Sequence, residues 1–197
     1  MNNVIDEIAT VASEWWARIL IDPKFDNGEA SFADILAKIA VQDISERQLI
    51  QFKSLLGQYI IDNISNLTSP DESIIMGCDY GPDTNLRHFA NECLIPESNF
   101  PWKTTMTIGK DFCYVKYGYT ELPTYLYVTE DRLQRRIDDA IKTVEYYQQK
   151  DNSYFNEWSS YTKDEILKIA NDTVEKCRRD LEDFKNGTRQ TTDIVVS

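Results

Sequence analysis

Histidine is almost absent from this chain: His88 is the only one in 197 residues. Cysteine is scarce too, and Cys78, Cys93, Cys113 and Cys177 form no C-x-x-C pair. So few and so scattered ligands exclude a Cys/His zinc quartet and a disulfide framework from the expected structure. No metal ion or cofactor is expected. Glycine is sparse, and neither G-x-x-x-x-G-K-[ST] nor G-x-G-x-x-G occurs, which removes the phosphate loops. No apolar run approaches a membrane span. The N-terminal MNNVIDEIATVASEWW lacks the basic region, apolar core and small-residue cleavage site of a signal peptide, so a cytoplasmic protein without a membrane partner is expected. Base is also in deficit, with a net charge of −12. Phosphate binding depends on clustered Lys and Arg, so direct binding to nucleic acid is expected to be weak, and a basic protein partner fits better.

Apolar and aromatic residues are present in amounts that support a folded core, 42% and 12% of the chain. The charge is uneven. Residues 1–128 carry 18 acids and 9 bases, a net −9, whereas 129–197 carry 15 acids and 12 bases, a net −3. A well-solvated surface accounts for such acidity, and so does an acidic face that meets a basic protein.

Val4, Ile8, Val11 and Ile19 recur at helical spacing and predict a helix over 3–21, with Asn3 as its N-cap. Trp15 and Trp16 cannot share one narrow stripe, so one of the two is expected to face a loop or a partner unless both enter the core. Pro23 to Gly28 reads as a turn. Ser31, with Asp34 three residues on, caps a second helix through Phe32, Ile35, Leu36, Ile39 and Ala40. Ser45 and Gln48 repeat the device for a third, whose apolar face holds Leu49, Ile50, Phe52, Leu55, Leu56, Tyr59 and Ile60.

A short strand over 74–78 follows, then a helix capped by Asp83 or Thr84, running through Leu86, Phe89, Ala90 and Leu94 and closed by Ile95-Pro96. The stretch 100–123 holds two alternating runs, 102–109 and 112–119, joined by Gly109-Lys110-Asp111. In the first, Trp102, Thr104, Met106 and Ile108 share a face. Residues 124–128 extend the sheet. Beyond Thr129 the spacing of Leu133, Ile137, Ala140, Val144 and Tyr147 is the a/d rhythm of a coiled coil. Leu167, Ala170, Val174, Cys177, Leu181 and Phe184 repeat it, with Thr162 and Glu165 as a capping box and Gly187 as the stop. The fold class is therefore α+β: an acidic core domain over 1–128, with helices packed on a small antiparallel sheet, then an antiparallel helical hairpin over 129–187 turned at Tyr154 to Trp158, then a tail over 188–197. Phe100, Trp102, Tyr117 and Tyr119 are expected in the core or at its edge.

Three groups of residues invite a chemical reading. Cys78, with Asp79 beside it and His88 ten residues on, would form a cysteine hydrolase if the thiol were acidified and the imidazole within reach. Asp22, Asp26, Glu29, Asp79 and Asp83 sit in Gly- or Pro-containing loops. Carboxylates there bind cations or act as acid and base, though Asx turns and caps account for them more cheaply. Arg132, Arg135 and Arg136 lie on the outside of the first hairpin helix, with Arg178 and Arg179 facing them from the second. Pairing with Asp131, Asp138, Asp139 and Asp180 competes there with a small phosphate-contacting patch.

Taken as a set, Trp15-Trp16, Pro23-Lys24-Phe25-Asp26-Asn27-Gly28, Asp79-Tyr80-Gly81-Pro82, Phe100-Pro101-Trp102-Lys103-Thr104 and Tyr117-Gly118-Tyr119 resemble a largely uncharacterised family of small proteins from phages and mobile elements of gut Firmicutes. The likeness covers about residues 4–123, and the hairpin stands outside it. Such genes include anti-CRISPR inhibitors of Cas9. The resemblance implies a protein without catalysis in the host cytoplasm that binds a Cas nuclease, guide-loaded or not, and blocks it stoichiometrically. Asp22, Asp26, Glu29, Asp79, Asp83, Arg132, Arg135 and Arg136 would then meet the partner. The other readings are an immunity protein or antitoxin that neutralises a basic toxin, and the Cys78/His88 hydrolase. A homodimer through the hairpin is a further expectation.

Overall fold

The computed structural model describes residues 2–23, 37–118, 123–151 and 161–186. The turn after Pro23, the start of the second helix with Ser31 and Asp34, Tyr119, the turn at 154–158, Gly187 and the tail lie outside them. The chain is α+β and divides into two compact units, Met1–Tyr127 and Val128–Val195. The first contains α1 (Asn2–Ile21), α2 (Glu46–Asn66), β1 (Ile74–Cys78), α3 (Thr84–Glu92), β2 (Thr104–Ile108) and β3 (Phe112–Tyr117). β4 (Thr124–Val128) follows, and the second unit contains α4 (Glu130–Gln148) and α5 (Lys163–Lys185). The four strands form an antiparallel sheet in the order β1-β2-β3-β4.

Register places Ile74, Ile108 and Cys113 in one row, Met76, Met106 and Val115 in the next, and Cys78, Thr104 and Tyr117 in the third. These rows face the core, where α1 and α2 cover them with Ile8, Ala12, Trp16, Leu20, Phe52, Leu56 and Ile60. The alternation read from sequence is thus correct in parity. Trp102, however, stands outside the strand, because Lys103 takes φ of +50° and breaks the extended run before Thr104. In the β2–β3 turn a Cβ on Gly109 would sit 2.3 Å from the Phe112 ring, so only glycine fits.

Both tryptophans enter the core. Their rings meet edge to face at 5.1 Å, Trp15 reaches Tyr117 on the sheet at 5.8 Å, and Trp16 reaches Phe100 at 6.2 Å. The core surface in front of α1 is wide enough to take two adjacent side chains that a single helical stripe would separate. Phe100 also touches Phe52 of α2. Burying it contributes roughly 2–3 kcal/mol.

The helix ends follow local chemistry. α1 begins at Asn2, so Asn3 lies inside it rather than at its cap. Ser45 and Gln48 form a complete capping box on α2, and Asp83 caps α3. α3 stops two residues before Leu94. Leu94 takes φ of +56°, and Leu94 and Ile95 return their N–H groups to Asn91 and Ala90 in a Schellman closure, so Leu94 is 81% exposed and Ile95 is buried. Residues 37–40 are helical as expected, but Ile39 and Ala40 face solvent rather than the core.

The second unit is the expected antiparallel hairpin. Thr129 caps α4, Thr162 and Glu165 box α5, and a Lys185–Glu130 ion pair at 2.7 Å joins the outer ends. Leu133, Ile137, Val144, Ala170, Val174, Cys177 and Leu181 are buried as the rhythm requires. No described helix is long and apolar enough to cross a membrane.

Asn99, fully buried, joins three segments. Its Nδ2 donates to the Leu20 carbonyl at 3.1 Å and the Gln42 carbonyl at 2.7 Å, and its Oδ1 accepts the Gln42 N–H at 3.1 Å. Asn99→Ala strands three backbone groups and is expected to cost about 2–5 kcal/mol. Urea unfolding with an unchanged slope measures this, and a cost near zero would show that the amide does not carry the junction. Tyr127 makes a second tie, donating to the Glu7 carboxylate at 2.8 Å. Burial, with the Glu7 hydrogen bond and charge, pushes its phenol from 10 up to about 12. A raised folded-state value contributes stability that is present below pH 10 and lost as pH rises through 12. The urea midpoint of Tyr127→Phe should therefore fall below that of the native chain at neutral pH, with the gap narrowing above pH 10. A gap that widens would contradict the tie.

Candidate functional site

Three of the sequence motifs meet at one end of the sheet. The Lys103 N–H donates to the Asp79 carbonyl at 2.8 Å, and the Lys103 carbonyl accepts the Gly118 N–H at 2.7 Å. Tyr80 and Trp102 pack edge to face at 5.9 Å. The loops after β1, before β2 and after β3 are tied together in this way, although Asp79 and Gly118 are 39 positions apart. Left-handed backbone costs a non-glycine residue about 1–2 kcal/mol. The two hydrogen bonds hold Lys103 there regardless.

Beside these contacts lies a depression of about 460 Å³, lined by Ile75, Gly77, Cys78, Asp79, Gly81, Asp83, Lys103, Thr105 and Gly118. It opens on the face of the sheet away from the core, where Gly77 pairs with Thr105 and Ile75 with Thr107. Gly77 is required there. A Cβ would come within 2.8 Å of the Thr104 carbonyl oxygen.

Asp83 is a structural hub. Its Oδ2 accepts the Gly77 N–H at 2.7 Å, and its Oδ1 accepts the N–H groups of Asn85 at 2.9 Å and Leu86 at 3.0 Å. Its own N–H returns to the Gly77 carbonyl at 2.9 Å. It therefore blunts the edge of β1 as well as capping α3. Both of its oxygens are committed to the fold, which argues against a direct role in partner contact.

Asp79 is exposed at the rim of the depression, and Asp22 is exposed at the end of α1. Asp26 and Glu29 lie outside the described residues. Cys78 is buried. Burial first, and then the charges of Asp83 and Glu97, push its thiol well above the ordinary range. Nucleophilic cysteines need the opposite shift. His88 is exposed on α3 and rests on the Phe89 ring at 5.6 Å. Among the described residues no group of three His, Cys, Asp or Glu is placed to hold a metal ion.

The arginine cluster departs from its expected place. Arg132, Arg135 and Arg136 are half-buried rather than on the outside, and Arg136 lies 3.9 Å from Asp180 across the hairpin. Asp180 is only 2% exposed. Its place follows from helical spacing, three residues after the seam residue Cys177 and four before Phe184, a signal that the apolar rhythm alone conceals. Arg178 and Arg179 are exposed. A buried acid demands a nearby cation, so Arg136 belongs to the hairpin interior.

The Tyr80–Trp102 contact likewise escapes sequence reading, because 22 residues separate the rings. No family model matches the chain, and no curated protein matches it.

The burial of Cys78 makes a direct test. Iodoacetamide at mildly alkaline pH should label the native chain only as fast as it opens, and urea should accelerate the labelling sharply. Rapid stoichiometric alkylation of Cys78 in the native protein would restore it as a candidate nucleophile.

Proposed function

We propose that the chain is a stoichiometric protein ligand that occupies the basic, nucleic-acid-binding surface of a nuclease and thereby inhibits it. The observation that carries this reading is the exposed acidity of the first unit. Residues 1–128 hold a net −9, and all the described acids in that unit except Asp83 and Asp111 are exposed. A surface of that sign competes with phosphates for Lys and Arg, steers association with a basic groove and repels nucleic acid. Inhibition then needs occupancy alone, with no turnover.

The motif resemblance nominates Cas9, acting in the cytoplasm of a bacterial host, as the nuclease. An immunity protein or antitoxin for a basic toxin would use the same acidic surface.

Mixed with a Cas9 and its guide, the chain should comigrate on size exclusion and block target cleavage near equimolar ratio. Binding should weaken as salt rises, since exposed charges are screened beyond about 8–10 Å at physiological ionic strength. Full-rate cleavage under a large molar excess, across several Cas types, would refute the nomination. Affinity indifferent to salt would refute the acidic-surface mechanism. Recovery of a basic toxin from host lysate would point to the immunity role instead.

A further inference from the structure

A groove along the hairpin of the second unit differs in character from the acidic surface of the first. It holds about 270 Å³ and is lined from α4 by Ala140, Thr143 and Tyr147 and from α5 by Ile166, Ile169 and Thr173. No charged side chain lines it. The seam residues Val144, Ala170 and Val174 already pack on one another, yet Ile169 is left 55% exposed. Toward the outer ends of the helices, Arg136 lies across from Asp180 on the same side by helical spacing, which confines the groove to the half near Gln148 and Lys163.

The charges at its corners select the occupant. Asp139 stands four residues before Thr143 and Lys150 three after Tyr147, so the α4 wall has an acid at one end and a base at the other. Glu165 stands four before Ile169 and Lys176 three after Thr173, the same order along α5. The helices run antiparallel: Lys185 pairs with Glu130, Arg136 lies beside Asp180, and Lys163 donates to the Gln148 carbonyl. That register sets Asp139 about level with Lys176 and Lys150 about level with Glu165, so the sign alternates around the four corners. Asp139 also pairs with Lys142 at 3.0 Å, and the Lys150 ammonium sits 4.4 Å from the Tyr146 ring centre. An ammonium has three donors and a carboxylate about four acceptor sites, so neither contact exhausts the group.

A two-fold axis along the hairpin brings this pattern onto itself with every sign matched: Asp139 meets Lys176 of the second copy, and Lys150 meets its Glu165. A partner surface of one sign would match only two of the four corners. The repulsion between copies is also smaller here, with a net −3 over 129–197 against −9 over 1–128.

We propose that two copies of this chain associate through this groove, each laying Ile166 and Ile169 against Ala140, Thr143 and Tyr147 of the other, to form a four-helix bundle. The association goes beyond the nuclease reading and uses nothing from the first unit. The groove spans about two turns, or about 11 Å, of each helix. That patch is smaller than the roughly 800 Å² per partner of a standard interface, so a weak dimer with a dissociation constant of about 10–500 μM is expected.

Sedimentation velocity of the full chain, from about 5 μM to about 1 mM, reads the association. A species of twice the 22.9 kDa chain mass should grow with concentration. Ile169→Asp should weaken it at least about tenfold with an unchanged circular dichroism spectrum, while Ile50→Asp, equally exposed on α2, should leave it as it is. Lys176→Glu sets like charges opposite Asp139 and should weaken it at least about threefold, and adding Asp139→Lys should restore it. A native chain that stays monomeric at the highest concentration overturns the proposal. So does a dimer that Ile50→Asp weakens and Ile169→Asp does not, and loss on Lys176→Glu without rescue by the exchange overturns the bundle arrangement. A monomeric native chain whose Ile169→Asp variant no longer inhibits the nuclease would assign the groove to the partner instead. A chain that dimerises through Ile169 but binds no nuclease keeps the dimer and removes only the nuclease reading.

Discussion

The side-chain amide of Asn99 is the contact on which the first unit depends. It holds the end of α1, the segment before α2 and the turn before Pro101, none of which shares regular backbone pairing with the others. Buried backbone groups at such a junction must find partners, and one primary amide supplies two donors and an acceptor at a single point. Phe100 follows directly and seats between Trp16 and Phe52. From there the chain passes through Pro101 and Trp102 to Lys103, whose backbone ties the loops after β1 and β3. The position of the recess is therefore inherited from the packing of α1 and α2, through four consecutive residues.

Charge divides into what folding consumes and what it leaves outside. Asp83 and Asp180 are drawn in, the first to accept three backbone N–H groups and the second to lie beside Arg136. Glu72 and Glu165 stay at the surface but are held below the usual carboxylate range, chiefly by hydrogen bonds from Thr68 and Thr162. Apart from Asp111, the other described acids of the first unit are exposed, where they repel one another. Acidic loop residues that look alike in sequence differ on this point. Asp79 faces solvent at a recess while Asp83, four residues on, is committed to the fold.

Readings that rested on local physics transferred well. The capping boxes at Ser45/Gln48 and Thr162/Glu165, the Asp83 cap, the strand parity at 104–117 and the hairpin seam all arise from hydrogen bonds or periodicities within a few residues. Readings that needed the other side of a contact did not. Leu94 looks like one more helical apolar residue until its left-handed backbone places it in solvent. Trp102 looks like a strand residue until Lys103 turns the chain. The arginine cluster looks exterior until Asp180 is found opposite it.

The sequence by itself determined the element types, their caps and faces, the α+β class and the uneven acidity, because propensity, period and composition act over one or two turns of chain. Only the tertiary structure decided that both tryptophans are buried, that Cys78 is buried and that Asp79, Asp83, Lys103 and Gly118 line one recess. Those outcomes depend on loops 20–40 residues apart being brought within hydrogen-bond distance. What brings them there is the buried amide of Asn99 and the aromatic core behind it, a constraint with no local signature.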